Sequence, residues 1–290
     1  MPGKDTVIPF VFESIAIRGA LVQLDKTWRR IQSGHDYQQP VVEVLGHAAA
    51  ATALIAQSLK FEGTITLQIN SDGLLGMLVM QSTHELALRG MATAHDVPAD
   101  ASFADLMANA RCAVTVDAGA MERPYQGIVE MSSHSLGTSL ENYFARSVQV
   151  PSHLQLRSSE TCCGGILLQQ MPENNPTSED DWRRLGFLAE TLQVDELADG
   201  ATPELLHKLF AEDNLRAYKA RDLQFSCRCS QARVEEVLRF LGEDETRDAC
   251  EEKGIVEVTC EYCGRMRTFD EVDIRRVFAG QAVSSSQSLH

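Results

Sequence analysis

Two closely spaced cysteine pairs near the carboxyl end are the feature that most restricts how this chain folds. Cys227 and Cys229 are separated by one residue, and Cys260 and Cys263 by two. Four thiolates are enough to complete a closed tetrahedral metal site of the zinc type. In an extended strand the one-residue spacer would place Cys227 and Cys229 on the same face, and a turn at 260–263 would aim both of its sulfurs inward. The sequence therefore predicts a small zinc-binding module.

The residues around the pairs predict a frame for this module. Apolar residues at helical spacing between the pairs indicate a short helix: Val234, Val237, Leu238 and Leu241. Residues 254–259, GIVEVT, indicate a strand that leads into the second pair. We assign the zinc-binding domain to residues 224–278 and expect the small, polar tail at 279–290 to be disordered.

The charge of the chain argues against several classes of partner. A formal net charge of -15 disfavours binding to nucleic acid backbones and to anionic membranes. No stretch approaches the roughly 20 apolar residues of a membrane-spanning helix, and the first residues lack the pattern of a secretory signal. We therefore expect a cytoplasmic protein. Thiols are mostly reduced in that compartment, where close cysteine pairs indicate metal or redox chemistry more often than structural disulfides.

The first 177 residues indicate a mixed α/β domain with a mainly antiparallel sheet, so that the whole chain is of the α+β class. Residues 40–61 predict a helix, because Pro40 suits a first turn and alanine has a high helical propensity. Asp72-Gly73 between two β-rich runs is typical of a hairpin. Further strands are predicted at 112–119, 125–133, 152–158 and 164–172, with a helix at 135–147.

Residues 178–223 predict an amphipathic helical linker. Ser178 can cap a first helix that has acidic residues in its first turn, and a second helix begins near Leu205. Because such helices cannot bury their apolar stripes alone, we expect them to lie on the N-terminal domain.

The cysteines by themselves leave three interpretations open. The site could be purely structural and staple a module too small to fold alone, the cysteines could bind no metal, or the site could be redox-active. The one-residue spacer favours redox activity, since a disulfide between Cys227 and Cys229 would close a small, strained ring that is readily reduced again. Arg228, Arg265 and Arg267 would favour thiolates once a metal had left.

The same pattern resembles a known family. Cys-x-Cys-Ser, a helix and a strand ending in Cys-x-x-Cys are similar to the C-terminal region of the redox-regulated 33 kDa chaperonin (33 kDa heat-shock protein) family. The stretches INSDGLLGMLV, ENYFARSVQVPSHLQL and GGILLQQMPE resemble a hairpin, a helix and a strand of that family, in the same order. The resemblance covers nearly the whole chain.

The resemblance implies a redox-regulated holding chaperone. Cys227, Cys229, Cys260 and Cys263 would bind one zinc ion per chain in the reduced, inactive form. Oxidation would form disulfides within Cys227/Cys229 and Cys260/Cys263, release the zinc and unfold the module and linker. The exposed apolar surface would bind unfolded proteins without ATP under oxidative stress, and the oxidised form could be a homodimer. Candidates for client contact are the linker residues Trp182, Leu185, Leu188, Leu192, Leu205, Leu209 and Phe210.

The sequence gives no indication of an enzyme. Ser82, His84 and Glu85 are close in sequence, but no Gly-x-Ser-x-Gly turn surrounds the serine.

The other cysteines match none of the ligand positions. We expect core packing for Cys112, Cys162 and Cys163, whereas Cys250 is either a spectator or a competitor in disulfide pairing.

Two alternative functions have distinct consequences. A thiol-disulfide oxidoreductase would use Cys260 and Cys263 as its catalytic pair, and it predicts turnover with a dithiol. Such a pair usually begins a helix after a strand, whereas here a strand enters a turn. A zinc-ribbon adaptor would bind its partner regardless of oxidant, and the basic patch that nucleic acid requires is missing from the sequence.

Overall fold

The computed structural model describes residues 5–119, 123–172, 177–200 and 203–279, and the chain divides into two compact units, Met1–Ser226 and Cys227–His290. Of the tail predicted to be disordered, residues 280–290 lie outside the described residues. The elements of the first unit are, in chain order, β1 (Thr6–Phe12), β2 (Ile17–Leu24), α1 (Lys26–Gln32), α2 (Gln39–Ser58), β3 (Thr64–Asn70), β4 (Leu75–Thr83), β5 (Ala87–Ala94), α3 (Phe103–Leu106), β6 (Arg111–Asp117), β7 (Tyr125–Val129), α4 (Leu136–Tyr143), a π-helical turn (Phe144–Val148), β8 (Ser152–Ser158), β9 (Cys163–Gln170), α5 (Glu179–Glu190), α6 (Val194–Ala198), α7 (Pro203–Leu209), β10 (Leu215–Ala217), β11 (Arg221–Asp222) and β12 (Gln224–Phe225).

These strands form two sheets. The first sheet has the order β10-β1-β2-β9-β8, and β11 also pairs with β1. The second sheet has the order β12-β5-β4-β3-β6-β7. Among the described residues of the two sheets, every pairing is antiparallel except that of β12 with β5. The predicted α+β class with a mainly antiparallel sheet is confirmed.

The helix α2 packs against strands of both sheets and lies at the centre of the larger core. Its alanines at 48–51 are fully buried, and such small side chains let the neighbouring strands approach closely. By length and composition α2 could also cross a membrane, so the expectation that no stretch approaches that length was wrong. Most of the helix is buried inside the unit, as is usual for a core helix.

Most of the elements predicted for the first unit are confirmed. Pro40 lies in the first turn of α2, and Asp72-Gly73 connects β3 to β4. The strand pairs β6/β7 and β8/β9 form as predicted. The helix predicted at 135–147 is α4 together with the π-helical turn, and the Ser135 side chain accepts a hydrogen bond from the Thr138 backbone N–H.

The helices α5, α6 and α7, which we call the helical layer, cover the other face of the first sheet. Alternate residues of β2 separate the two faces: Val22 belongs to the core around α2, and Leu21 to the core beneath the helical layer. The Ser178 side chain accepts a hydrogen bond from the Asp181 backbone N–H and so caps α5. The expectation that these helices lie on the N-terminal domain is confirmed.

The second unit contains α8 (Gln231–Leu241), α9 (Glu243–Lys253), β13 (Val256–Thr259), β14 (Met266–Phe269) and α10 (Glu271–Ala279). The predicted helix and strand are α8 and β13, while α9 and α10 were not predicted. Strands β13 and β14 form an antiparallel pair. The buried core of this unit is small and consists of Val234, Leu238, Cys250, Phe269, Ile274, Val277 and Phe278.

Candidate metal centre

The four sulfurs of the two cysteine pairs converge in the second unit. The Sγ atoms of Cys227, Cys229, Cys260 and Cys263 all lie within 4.8 Å of one another. The Sγ–Sγ distance is 3.6 Å between Cys227 and Cys260 and 3.5 Å between Cys229 and Cys263. Sulfurs that surround a zinc ion tetrahedrally at ~2.3 Å are about 3.8 Å apart. The four thiols therefore have the composition and the spacing of a closed metal site.

A tight turn between β13 and β14 positions the second pair. The Cys260 backbone N–H donates to the Arg265 carbonyl, and the N–H groups of Cys263 and Gly264 donate to the Cys260 carbonyl. Gly264 has a φ of 64°, a left-handed conformation that glycine adopts without steric cost. The turn thereby brings both sulfurs to one side, as the Cys-x-x-Cys-Gly pattern predicts.

The first pair lies in irregular chain rather than in a strand. Strand β12 ends at Phe225, and residues 226–230 have no regular structure, so the expectation of a strand at Cys227 and Cys229 was wrong. Immediately after the pair, the Ser230 hydroxyl accepts a hydrogen bond from the Arg233 N–H and caps α8. A regular ladder is unnecessary because the helix start already fixes the chain next to Cys229.

The thiols of the cluster differ in acidity. Burial and the hydrogen bonds among the thiols raise the pKa of Cys227 to about 12, and burial also raises the pKa of Cys263. Burial opposes ionisation at Cys229 as well, but hydrogen bonds from the neighbouring thiols and from Arg267 lower its pKa to about 7. The Arg267 Nη1 atom lies 3.9 Å from the Cys229 sulfur. Arg267, one of the three arginines proposed from the sequence, therefore contacts a thiol of the cluster.

The second unit has only a small apolar core. Domains of this size are marginally stable, and a metal, a disulfide or a partner often adds to their stability. Cys250 belongs to that core and lies apart from the sulfur cluster, with its thiol 3.6 Å from the Gly254 carbonyl oxygen. The cluster of four sulfurs is the group that could supply the missing stability.

The other cysteines are core residues of the first unit, as expected. Cys112, Cys162 and Cys163 are all buried. Burial raises the pKa of the Cys112 thiol to about 12 and raises that of Cys163 as well. Neutral, buried thiols of this kind behave as small apolar side chains.

The residues that could form a catalytic serine–histidine pair are not brought together. The fully buried Ser82 hydroxyl donates to the Thr83 carbonyl, while the His84 Nδ1 atom accepts from the Gly63 backbone N–H. Cys260 and Cys263 lie in a turn between two strands rather than at the start of a helix, where thiols of oxidoreductases are commonly activated.

The candidate client-binding residues lie in the helical layer or directly after one of its helices, and most of them are turned toward the first sheet. Leu185, Leu192 and Phe210 are fully buried, and Trp182 and Leu188 are partly buried. Their partners on the sheet were missed in the sequence, although Val, Ile and Phe crowd the stretch TVIPFVF and signal a strand. These partners are Ile8, Phe10, Phe12, Ile17, Leu21, Ile166 and Leu168.

Comparison with known proteins finds a matching family model, relatives of similar sequence and a solved structure with a similar fold. A family model described as Hsp33 protein matches residues 5–270. A 33 kDa chaperonin of Nitrosococcus oceani is 39% identical over 282 residues, which cover 97% of this chain and 96% of that protein. A 33 kDa chaperonin of Cronobacter sakazakii is 37% identical over 279 residues, which cover 94% and 95%. The crystal structure of a 33 kDa chaperonin from Thermotoga maritima has a TM-score of 0.81 at 21% identity and covers 96% of this chain and 99% of its own.

Proposed function

The chain belongs to the Hsp33 protein family of chaperones, and from this membership we propose that it is a holding chaperone that oxidation switches on. In the reduced form the protein is inactive. In the oxidised form it binds unfolded proteins and prevents their aggregation without ATP. The observation that carries the proposal is the convergence of four thiols in a unit that has only a small core of its own.

In the resting state, Cys227, Cys229, Cys260 and Cys263 bind one zinc ion per chain. Thiolate sulfur is a preferred zinc ligand, and a set of four leaves no position for water or substrate. Apparent zinc affinities of about 10–16 kcal/mol in small domains are also folding free energy. The ion would thus hold the second unit folded.

Oxidation removes the ligands. In each pair, two thiolates lose two electrons and form a disulfide, while one peroxide is reduced to two hydroxide ions. Disulfide sulfurs no longer bind the metal as thiolates do, so the zinc ion leaves. Sulfurs of different pairs also lie close together, at 3.6 Å between Cys227 and Cys260 and 3.5 Å between Cys229 and Cys263. We assign the disulfides within Cys227/Cys229 and Cys260/Cys263, as the resemblance to the family implies.

Loss of the second unit frees the chain that precedes it. The helical layer buries its apolar stripe on the first sheet, and its release would uncover both surfaces. Exposed apolar patches of several hundred Å² bind other exposed apolar surfaces. The client-contact residues in this scheme are Trp182, Leu185, Leu188, Leu192, Leu205, Leu209 and Phe210. We place the protein in the cytoplasm and allow for a homodimer in the oxidised state.

One experiment tests the switch. Zinc content, free thiols and suppression of the aggregation of a heat-unfolded malate dehydrogenase are followed in the same sample before and after peroxide treatment. We expect about one zinc per chain in reduced protein, and its release together with loss of the thiols of Cys227, Cys229, Cys260 and Cys263. Aggregation should be suppressed only after that release. Equal suppression by the reduced, zinc-loaded form would exclude the switch while leaving the chaperone role intact.

A further inference from the structure

The chain between the helical layer and the second unit also supplies an edge strand to each of the two sheets of the first unit. We call residues 215–225 the edge segment. Its strands β10 and β11 pair with β1 of the first sheet, and its strand β12 pairs with β5 of the second. Each of these three strands is only two or three residues long. The edge segment ends at Phe225, so only Ser226 separates it from Cys227.

Backbone hydrogen bonds hold the edge segment on β1. The Tyr218 N–H donates to the Pro9 carbonyl, and the Glu13 N–H donates to the Asn214 carbonyl. Hydrogen-bonded pairs recur at every second residue of an antiparallel ladder, so the Val11–Arg216 pair between them is also hydrogen-bonded. The N–H and C=O groups of Val11 therefore point toward the edge and away from β2.

Strand β1 is suited to receive another strand. On one face Ile8, Phe10 and Phe12 are buried in the core beneath the helical layer, and on the other face Val7 is buried while Pro9 and Val11 are partly buried. A packed strand with one free edge is a template for pairing with a further extended chain. While the edge segment is in place, this template is occupied.

We propose that the edge segment leaves β1 when the second unit unfolds, and that the freed edge of β1 binds extended segments of unfolded proteins by strand addition. This inference rests on the proposed function, because it requires the unfolding of the second unit. The occupant is an extended apolar polypeptide, since the edge segment itself binds there in that conformation.

The side chains of the edge segment indicate which sequences would bind. Leu215 and Ala217 face the core beneath the helical layer and are only partly buried. The edge segment therefore places two apolar side chains on this face. The alternate residues Arg216 and Tyr218 lie on the other face, with the guanidinium carbon 5.5 Å from the ring centre. A chain with larger apolar residues at every second position would bury more surface at this edge than the edge segment does. Segments with that alternation are frequent in unfolded β-rich proteins.

Two proline substitutions at one ladder pair separate strand addition from binding to an apolar face. Val11→Pro and Arg216→Pro each remove one N–H from the hydrogen bonds between β1 and the edge segment. Only Val11→Pro leaves a defect on the edge of β1 after the segment has left. Pro9 already occupies the preceding outward-facing position of β1, so a proline is compatible with this edge.

The measured quantity is the affinity of peroxide-oxidised protein for fluorescein-labelled, permanently unfolded carboxymethylated α-lactalbumin. We expect about tenfold weaker binding for Val11→Pro, the effect of losing one backbone hydrogen bond. Arg216→Pro should bind as the unsubstituted protein does, but should reach full binding at a lower peroxide dose. Equal affinity in all three proteins would overturn strand addition. Absence of binding by the oxidised, unsubstituted protein would instead overturn the proposed function.

A peptide pair tests the same inference without altering the protein. One peptide alternates valine and threonine, and the second is identical except for backbone N-methyl groups along one edge. N-methylation removes N–H donors and blocks strand pairing while keeping the apolar side chains. We expect the methylated peptide to bind oxidised protein about tenfold more weakly. Equal binding of the two peptides would show that clients bind only through side chains, and would refute the proposal even if Val11→Pro failed to fold.

Discussion

Gln23 of β2 lies on the face of the first sheet that the helical layer covers, and its side-chain amide has no hydrogen-bond partner among the described residues. Its side chain is fully buried, and neither its nitrogen nor its oxygen has a hydrogen-bond partner among the described residues. Gln23 lies opposite Gly164 in the ladder, and a Cβ on Gly164 would lie 3.1 Å from Leu197 of α6. An unpaired buried amide opposes folding by about 1–3 kcal/mol. The unpaired amide of Gln23 thus lowers the stability of the first sheet where the helical layer packs on it.

Gln23→Met should therefore stabilise the reduced protein by about 1–2 kcal/mol and raise the peroxide dose needed for client binding. Urea unfolding of the first unit measures the first effect. Gln169→Met is the matched control, because the buried Gln169 amide donates to Ser152 and accepts from Arg18. That control should lose stability. A loss of stability for Gln23→Met as well would mean that its amide is satisfied in the native protein.

The five cysteines of the second unit should differ sharply in their effect on zinc content. Cys227→Ser or Cys260→Ser removes one of the four convergent sulfurs. Loss of a residue that only hydrogen-bonds a metal ligand weakens metal affinity by about 10–100-fold, so loss of a sulfur itself should weaken zinc affinity by more than about 100-fold. Cys250→Ala removes a core thiol outside the cluster and should leave about one zinc per chain. Elemental analysis of reduced, purified protein measures both. Loss of zinc in Cys250→Ala comparable to that in Cys227→Ser would show that the ligand set is different.

At the scale of elements, the docking of α5 should depend on pH. The Trp182 ring stacks on His153 of β8 at 4.2 Å between ring centres, and burial lowers the pKa of His153, although Glu190 and a backbone hydrogen bond at Trp182 act against this shift. Neutral His153 is favoured in the docked state. Undocked His153 protonates near its ordinary pKa of 6.5, so docking should be unaffected above that pH and weaken as pH falls below it.

Hydrogen exchange of the α5 amides, compared at pH values above and below 6.5 after correction for intrinsic rates, measures this effect. His153→Phe keeps an aromatic ring against Trp182 without a titrating group, and it should remove the acid-induced opening. Glu141 is 3.9 Å from the His153 Nδ1 atom, and burial raises its pKa, so its protonation acts in the opposite direction. Acid-induced opening that persists in His153→Phe would assign the effect to other groups.

Elements with strong local signals were predictable, and those formed by distant pairing were not. The alanine-rich α2, the Asp72-Gly73 hairpin and the Ser178 cap each carry their signal within a few residues. The strands of the edge segment are too short to show a period, and they exist because Leu215 pairs with Phe12 across the chain. In the candidate metal centre, spacing predicted the four cysteines that the structure brings together, but the contact of Arg267 with one thiol depends on β14 and could not be predicted from the sequence.

At the scale of the whole molecule, the two units should respond differently to the metal. The first unit has a large core around α2 and a second core beneath the helical layer. The second unit has a small core and the cluster of four sulfurs. A zinc contribution of about 10–16 kcal/mol is as large as the whole stability of a typical domain, about 5–15 kcal/mol. The second unit should therefore be folded only while the metal is bound.

Chelation of zinc under reducing conditions should consequently unfold the second unit and leave the core of the first unit intact. Calorimetry of reduced protein with a strong chelator should retain the transition of the first unit and lose that of the second. Hydrogen exchange should become fast in α8, α9 and α10, and faster in the helical layer, while α2 stays protected because its exchange requires opening of the larger core. Protection of α8 that survives complete metal removal would show that this small core is stable by itself, and zinc loss could then no longer be the event that releases the helical layer.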